Sequence, residues 1–125
     1  MDEQPSPAGE GTGSDSSPAT WSLEQSAMAK RSDVEMALRR LAPRIPPHEF
    51  AAVVDHAVDS PGLNVATAET AAWLSLVAYV RHALTDYDEL LTQDYDVDSA
   101  RFFVAREIEA ILAAWGVRRP LTPED

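Results

Sequence analysis

The centre of the chain, residues 67–84, reads TAETAAWLSLVAYVRHAL. Thr67 is a favoured residue for the N-cap of a helix. An apolar stripe follows at helical spacing and consists of Trp73, Leu76, Val77, Val80 and Leu84. The opposite face is small or mildly polar and carries Ala71, Ser75, Ala78 and His82. Because a helix with two such faces is typical of an element with neighbours on both sides, we predict a central helix here.

Two helices are predicted before this central one. Ser32 and Glu35 form a capping-box pattern, so the first helix is expected to start at Ser32 and to end at Pro43. Its apolar stripe consists of Val34, Leu38 and Leu41. Pro46 and Pro47 suit the first turn of a second helix, which is expected to stop at residues 60–62. The stripe of that helix consists of Phe50, Val53, Val54, Ala57 and Val58.

Two further helices are predicted after the central one. The run from Thr85 to Asp88 resembles a second capping motif, which restarts a short helix through Leu91. The last helix is expected to begin near Asp98 and to stop at Gly116, a residue type suited to helix C-terminal ends. Its stripe consists of Ala100, Val104, Ile108, Ile111 and Trp115. Because no segment alternates with the period of a strand, we predict an all-α, compact bundle of four main helices plus a short extra helix.

Composition divides the 125-residue chain into three parts. Residues 1–30 form an acidic tail rich in Ser, Pro and Gly, and we expect it to be disordered because it can bury little apolar surface. Residues 31–117 are expected to form the helical domain, and residues 118–125 a C-terminal tail. The absence of cysteine excludes thiolate metal sites, CxxC redox motifs and cysteine nucleophiles.

The formal net charge of −11 at pH 7 is unevenly distributed. Residues 86–98 hold six acids and no base, whereas five of the ten basic residues lie within 30–44. The overall negative charge opposes non-specific binding to nucleic acid or anionic lipid. The longest apolar stretch, residues 71–80, is too short to cross a bilayer, and the N-terminal residues do not resemble a signal peptide. We therefore expect a cytoplasmic protein without membrane association.

Three stretches of the chain carry a distinctive pattern. They are PRIPP at 43–47 leading into VDHA at 54–57, then YVRHALTDYDELL at 79–91, and finally AREI at 105–108 followed by WG at 115–116. Together they resemble the domain of unknown function 2293 family over about Pro43 to Gly116. The resemblance implies a helical fold and carries over no activity.

The chain departs from the pattern of that family in two places. Members usually have a Gly/Arg-rich loop after the helix with the first histidine, and here the loop at 59–65 holds no arginine. Members also tend to have a basic region upstream, where this chain has its acidic tail. Both departures count against a nucleic-acid role for this chain.

His56, His82 and Asp86 are the candidate metal-binding or catalytic residues. Both histidines are predicted to lie off the apolar stripes of their helices, so they could face each other across a helix pair. Asp86 follows His82 by four residues and could complete a His/Asp metal site. Alternatively, His82 bonds Asp86 or a backbone carbonyl and helps to terminate its helix. Because no HExxH spacing is present, we predict no catalytic residue, no bound metal and no cofactor.

The alternating acids Asp94, Asp96 and Asp98 resemble the start of a calcium loop. An EF-hand that began at Asp94 would require glycine at its sixth position and glutamate at its twelfth, where the chain has Ser99 and Ala105. The EF-hand interpretation therefore fails. The acids are better explained as a cap for the helix that follows them.

The basic helix at 30–44 supplies two candidate partner-binding residues, Arg40 and Arg44. Its cations could contact phosphates. However, Glu35 precedes Arg39 at the spacing of an ordinary surface ion pair, and no glycine-rich phosphate loop accompanies the helix.

Phe102 and Arg106 are the other candidate partner-binding residues. By helical angle, Phe102 points away from the apolar stripe of the last helix and shares a face with Arg106. Aromatic and arginine side chains dominate binding hot spots, so this face could anchor a partner. Alternatively, the short helix or Trp21 folds back over Phe102.

These patterns favour a non-enzymatic protein-interaction module with a protein partner. Two alternatives stay open. One is a nucleic-acid-associated protein that uses the basic helix at 30–44, and the other is a metal-binding or catalytic protein centred on His56, His82 and Asp86.

Overall fold

The computed structural model describes residues 18–60, 63, 66–122 and 125. In this part of the chain there are five helices and no strand, and the helices are α1 (Pro18–Leu41), α2 (Pro47–Asp59), α3 (Ala68–Leu84), α4 (Tyr87–Thr92) and α5 (Val97–Ala114). The prediction of an all-α fold with four main helices and a short extra one is confirmed. The chain divides into two units, residues 1–30 and 31–125. Disorder was expected for residues 1–30. Residues 18–30 lie in α1, and the first seventeen residues fall outside the described part of the chain.

The first helix starts earlier than its capping box indicated. Ser32 lies inside α1, so the prediction that Ser32 is an N-cap is wrong. Serine and aspartate are tolerated inside helices at a cost of about 0.5 kcal/mol each relative to alanine, so a capping-box pattern permits a helix start without enforcing it. Val34 and Leu38 are fully buried as predicted, and Leu41 is partly buried.

The caps of α2 and α3 lie where the sequence predicts them. Pro46 is the N-cap of α2, a proline follows in its first turn, and Ser60 is the C-cap. Thr67 is the N-cap of α3, and its hydroxyl accepts a hydrogen bond from the amide of Thr70 at 3.1 Å. This bond satisfies one of the amides that a helix start leaves without a partner.

Thr85 separates α3 from the short helix α4. Its backbone is extended, with φ −131° and ψ 174°. Its hydroxyl donates to the carbonyl of Arg81 and accepts from the amide of Tyr87 at 3.2 Å. The chain therefore changes direction at Thr85 without leaving these polar groups unsatisfied.

Asp96 caps the start of α5. Its carboxylate accepts a hydrogen bond from the amide of Ser99 at 2.7 Å, and this bond lowers the pKa of Asp96 below its ordinary value. The helix begins at Val97, one residue before the predicted Asp98. The interpretation of these acids as a helix cap is confirmed for Asp96.

Gly116 ends α5 in the predicted place. Its φ is 90°, a left-handed conformation that favours glycine. The amide of Gly116 donates to the carbonyl of Ala113 at 3.0 Å, and the amide of Val117 donates to the carbonyl of Leu112 at 2.9 Å. This pair of bonds is the Schellman motif, which satisfies carbonyls at the helix end.

The third helix is the centre of the core, as predicted. It contacts α2, α4 and α5. It is buried on both faces, through Ala71, Ala72, Trp73, Ser75, Leu76, Val77, Val80 and Arg81. The rest of the buried apolar core comprises Val34, Ala37, Leu38, Ala42, Val53, Val54, Ala57, Tyr87, Ala100, Val104, Ile108 and Leu112. On α5 the core residue after Ile108 is Leu112, whereas the predicted Ile111 is partly buried.

The segment after α5 also contacts this core. The guanidinium of Arg119 lies 4.4 Å from the ring centroid of Trp73, and Leu121 packs against the buried cluster. Within the described residues, no helix combines the length and apolar character needed to cross a membrane.

Candidate functional site

Three aromatic side chains form an exposed cluster where α4 leads into α5. Tyr95, Phe103 and Phe102 are 42%, 58% and 77% exposed. The ring centroids of Tyr95 and Phe103 are 5.4 Å apart and those of Phe102 and Phe103 are 6.0 Å apart, with edge-to-face geometry in both pairs. Adjacent aromatic rings left open to solvent indicate a surface that gains free energy when a partner covers it.

A tight turn after α4 positions this cluster. Asp94 has a φ of 72°, a left-handed conformation that aspartate adopts more readily than most residues. The amide of Asp94 donates to the carbonyl of Leu91, and the amide of Tyr95 donates to the carbonyl of Leu90, both at 3.2 Å. These bonds form a Schellman motif at the end of α4. The turn brings Tyr95 against Phe103 on the next helix.

A groove of about 260 Å³ lies beside the aromatic cluster, and it is lined by Asp86, Leu90, Tyr95, Phe103, Val104 and Glu107. Both acids in this lining are exposed, as are all six acids of residues 86–98. We define the acidic aromatic surface as Asp86, Leu90, Tyr95, Phe103 and Glu107. It combines an apolar floor with a negatively charged rim.

Phe102 and Arg106 lie one helical turn apart on α5, next to this surface. Phe102 is the most exposed of the large apolar side chains in the described part of the chain, so α4 does not cover it. Arg106 is exposed as well. The side chain of Trp21 is not among those that the structure describes. The alternative in which Trp21 covers Phe102 therefore stays a prediction.

The basic residues of α1 take part in contacts with the neighbouring helices. Arg31 pairs with Asp55 at 2.7 Å, and Arg40 pairs with Glu69 at 3.5 Å. The guanidinium of Arg39 lies over the ring of Phe50, 4.4 Å from its centroid, and makes this contact in place of the predicted pairing with Glu35. These three arginine side chains of α1 therefore make contacts within the protein itself.

Arg44 links the loop after α1 to the end of α5. Its amide donates to the carbonyl of Trp115 at 2.9 Å. Its guanidinium donates to the carbonyls of Ala114 and Ala113, at 3.4 and 3.5 Å. A cation at a helix C-terminus stabilises the helix by interacting with its dipole. The contacts give Arg44 a structural role at the point where the PRIPP and WG stretches meet.

We expect Arg44→Ala to lower the free energy of unfolding by about 1 kcal/mol, because the carbonyls at the end of α5 lose a cationic donor. Arg40→Ala is the matched control, since it removes the same charge from an exposed ion pair and should cost about 0.5 kcal/mol or less. Urea unfolding followed by circular dichroism measures both. Equal losses in the two variants would contradict the capping role of Arg44.

The candidate histidines take different partners. Nδ1 of His56 lies 3.2 Å from the hydroxyl of Ser75, and Nδ1 of His82 lies 2.6 Å from the carboxylate of Asp88. Asp86 does not pair with His82 because the extended backbone at Thr85 interrupts the helical spacing between them. The first turn of α4 brings Asp88 to the imidazole in its place.

The described residues contain no group of three or more His, Asp or Glu side chains arranged to hold a metal ion. Ser75 and His82 are seven residues apart on α3, which corresponds to about 10 Å along the helix axis. The structure therefore does not gather His56, His82 and Asp86 into one site.

The hydrogen bond between His56 and Ser75 does not form a catalytic pair. Ser75 is fully buried within α3, so a substrate has no access to its hydroxyl. A nucleophilic serine needs an exposed oxygen and a base that a third group orients. The bond instead satisfies a polar group at the contact between α2 and α3.

Sequence reasoning missed Tyr95 and Phe103 as site residues. Two consecutive aromatic residues on a helix cannot both face the core, because successive side chains are separated by about 100° around the helix axis. The pair Phe102–Phe103 therefore held a usable signal. The position of Tyr95 depends on the left-handed turn at Asp94, which was not predicted from the sequence.

Comparison with known proteins identifies the family of the chain. A family model described as "Uncharacterized conserved protein (DUF2293)" matches residues 37–116. No curated protein and no solved structure matches the chain. The matched region begins within α1 and ends at the glycine that terminates α5. The chain therefore belongs to the DUF2293 family, as its sequence pattern indicated.

Proposed function

We propose that the protein is a non-enzymatic protein-interaction module that binds a basic, apolar segment of a partner protein on its acidic aromatic surface. The observation that carries this proposal is the contact between Tyr95 and Phe103, two exposed rings 5.4 Å apart beside a groove with an acidic rim.

The aromatic rings supply the apolar part of this recognition. Phe103 is 58% exposed, so a partner side chain in the groove would remove much of the ring from water. Burying an aromatic side chain contributes about 1.5–3 kcal/mol, and aromatic residues are enriched among binding hot spots. Because the two rings already contact each other, little conformational freedom is lost when a partner covers them.

The charges define the chemistry of the partner. Asp86 and Glu107 line the groove, and both are exposed. Opposite charge on a partner speeds its association and disfavours acidic competitors. A segment with lysine or arginine flanking one or two large apolar side chains fits this surface.

The nucleic-acid alternative receives less support from the geometry. The aromatic cluster lies among acids, which would repel phosphates. The arginines of the basic helix 30–44 contact Asp55, Glu69, Phe50 and the end of α5.

The proposal is tested by affinity purification of the tagged full chain in the presence of nuclease. The partners recovered with the wild-type chain are compared with those recovered with Phe103→Ala. Met36→Ala is the matched control, because Met36 is also a large exposed apolar residue (56% exposed) and lies on α1. We expect a nuclease-resistant partner that Met36→Ala retains and Phe103→Ala loses. The binding segment of that partner, prepared as a peptide, should bind the purified chain at least about tenfold more weakly after Phe103→Ala, which corresponds to about 1.4 kcal/mol.

The salt dependence of the same peptide tests the electrostatic part of the proposal. Attraction between exposed charges is screened over about 8 Å at physiological ionic strength, so affinity should fall as NaCl is raised. A binding segment without lysine or arginine, partners that disappear with nuclease, or equal losses with Met36→Ala and Phe103→Ala would each overturn the proposal.

A further inference from the structure

A second exposed surface runs along α5, beside the acidic aromatic surface. We define it as the Phe102 stripe, which consists of Phe102, Arg106, Glu109 and Ala113 at spacings of four, three and four residues. Because successive residues of a helix are separated by about 100°, these positions lie within about 60° of one another around the axis. All of them are exposed, so the stripe faces solvent along about three turns of the helix.

The side chains of the stripe are available to a partner. Phe102 is 77% exposed, and Phe102 and Glu109 line the same cavity beside α5, so they lie on the same side of the helix. Within the described residues, neither Arg106 nor Glu109 takes part in an ion pair. An arginine that precedes a glutamate on one helix is the less favourable order for pairing with it. The stripe therefore offers one aromatic ring and two unpaired charges of opposite sign.

The order of these residues makes the stripe complementary to itself. When two copies of α5 run antiparallel about a two-fold axis between Arg106 and Glu109, each residue meets the one that lies equally far from the axis on the other copy. Phe102 then lies opposite Ala113, and Arg106 lies opposite Glu109, in both halves of the contact. A large ring fits against a small side chain, and the arginine meets a carboxylate.

The spacing also matches the geometry of paired helices. Residues that recur at alternating intervals of three and four form the contact seam of coiled coils, whose helices cross at about 20°. Ala105 and Ala110 lie on either side of the stripe on α5. Small side chains at a contact allow the axes of two helices to approach to about 8 Å. The flanks of the stripe therefore leave room for a second helix.

We propose that the Phe102 stripe is the interface of a homodimer, in which a second copy of this chain packs its α5 antiparallel against the first. The stripe carries one positive and one negative charge, whereas the chain as a whole has a formal net charge of −11. A second copy therefore meets no like charge along the stripe. Repulsion between acids farther away is screened over about 8 Å at physiological ionic strength.

The proposed dimer leaves the acidic aromatic surface open. Phe103 and Glu107 lie about 90° or more around α5 from the centre of the Phe102 stripe. A dimer formed through the stripe would therefore present two acidic aromatic surfaces at once. The inference rests on the self-complementary order of the stripe and does not depend on the proposed function.

Sedimentation velocity of the full chain tests the proposal. We expect a monomer–dimer equilibrium with a Kd on the order of 100 µM, because a contact formed by one helix of each copy buries less than about 1,200 Å² and interfaces of that size are weak. The chain is measured from about tenfold below to about tenfold above this Kd. Phe102→Ala should weaken the dimer at least about tenfold, whereas the matched control Phe103→Ala should change its Kd by about twofold or less.

Charge reversal tests the antiparallel pairing. Arg106→Glu places glutamates opposite each other and Glu109→Arg places arginines opposite each other, so each variant should dimerise at least about tenfold more weakly. An equal mixture of the two variants should form a heterodimer, because the glutamates of one chain then face the arginines of the other. Arg118→Glu is the matched control, since it reverses an exposed arginine beyond the end of α5 and should change the Kd by about twofold or less. Thermal unfolding confirms that each variant is folded.

Three results would overturn the proposal. They are a chain that sediments as a monomer throughout the range, an effect of Arg106→Glu no larger than that of Arg118→Glu, and a mixture of Arg106→Glu and Glu109→Arg that does not associate. Equal losses with Phe102→Ala and Phe103→Ala would overturn it as well, by placing the contact on the acidic aromatic surface. Because dimerisation is measured without any partner, its failure would leave the test of the proposed function intact.

Discussion

Leu76→Ala should destabilise the protein by about 3 kcal/mol, the largest loss that we expect from a single aliphatic truncation. Leu76 is fully buried at the middle of α3, the helix that contacts α2, α4 and α5. Truncation removes the transfer free energy of the lost atoms and leaves a cavity that helices on several sides must collapse to fill. Because a domain of this size is stable by about 5–15 kcal/mol, the variant should lose a large share of its stability.

Leu74→Ala provides the matched control for this prediction. Leu74 lies two residues away on the same helix and is 37% exposed, so the same truncation should cost about 1 kcal/mol or less. Urea unfolding of the two variants and the wild-type chain measures both losses. Similar losses at the two positions would show that α3 is not the central element of the core.

Gly116→Val should cost about 3 kcal/mol, through two additive effects. A left-handed conformation such as the φ of 90° at Gly116 costs a residue with a Cβ atom about 1–2 kcal/mol, and more when the side chain is branched. A Cβ atom at this position would also lie 3.0 Å from Cγ and 3.1 Å from Cδ of Pro43. The proline ring has little freedom to move, so overpacking adds to the backbone strain.

Gly116→Ala and Ala110→Val test the two effects separately. Gly116→Ala keeps the backbone strain and part of the clash. Its free energy of unfolding should therefore lie between those of the wild type and Gly116→Val. Ala110→Val places the same branched side chain on the exposed face of α5 and should cost about 0.7 kcal/mol or less, the difference in helix propensity. A loss at Gly116→Val no larger than at Ala110→Val would contradict the role assigned to this glycine.

Local sequence signals predicted most helix ends correctly. Thr67, Pro46 and Gly116 each act through the backbone of their own turn, by a side-chain cap, a preset φ or a left-handed conformation. These effects need no distant partner, so they can be read from a few residues. The exception at Ser32 arose because the cap residue can also be accommodated inside a helix.

The candidate site was predicted only in part. Helical angle placed Phe102 outside the core, and the structure leaves it exposed. Arg44 was expected on a free basic surface, yet it contacts the end of a helix about seventy residues later in the chain. Asp88, not Asp86, reaches His82 because the chain turns at Thr85. Such pairings depend on how the helices pack and turn, which the spacing of one segment does not specify.

The sequence by itself determined the helical class, the central position of α3 and the family, because periodicity, caps and local motifs are properties of single segments. Only the tertiary structure decided which exposed and charged residues meet. It brought Tyr95 to Phe103 through the turn at Asp94, and it placed Arg44 at the end of α5. The physical reason is that burial and pairing of side chains are set by the packing of several helices together, so they become definite only when the helices are assembled.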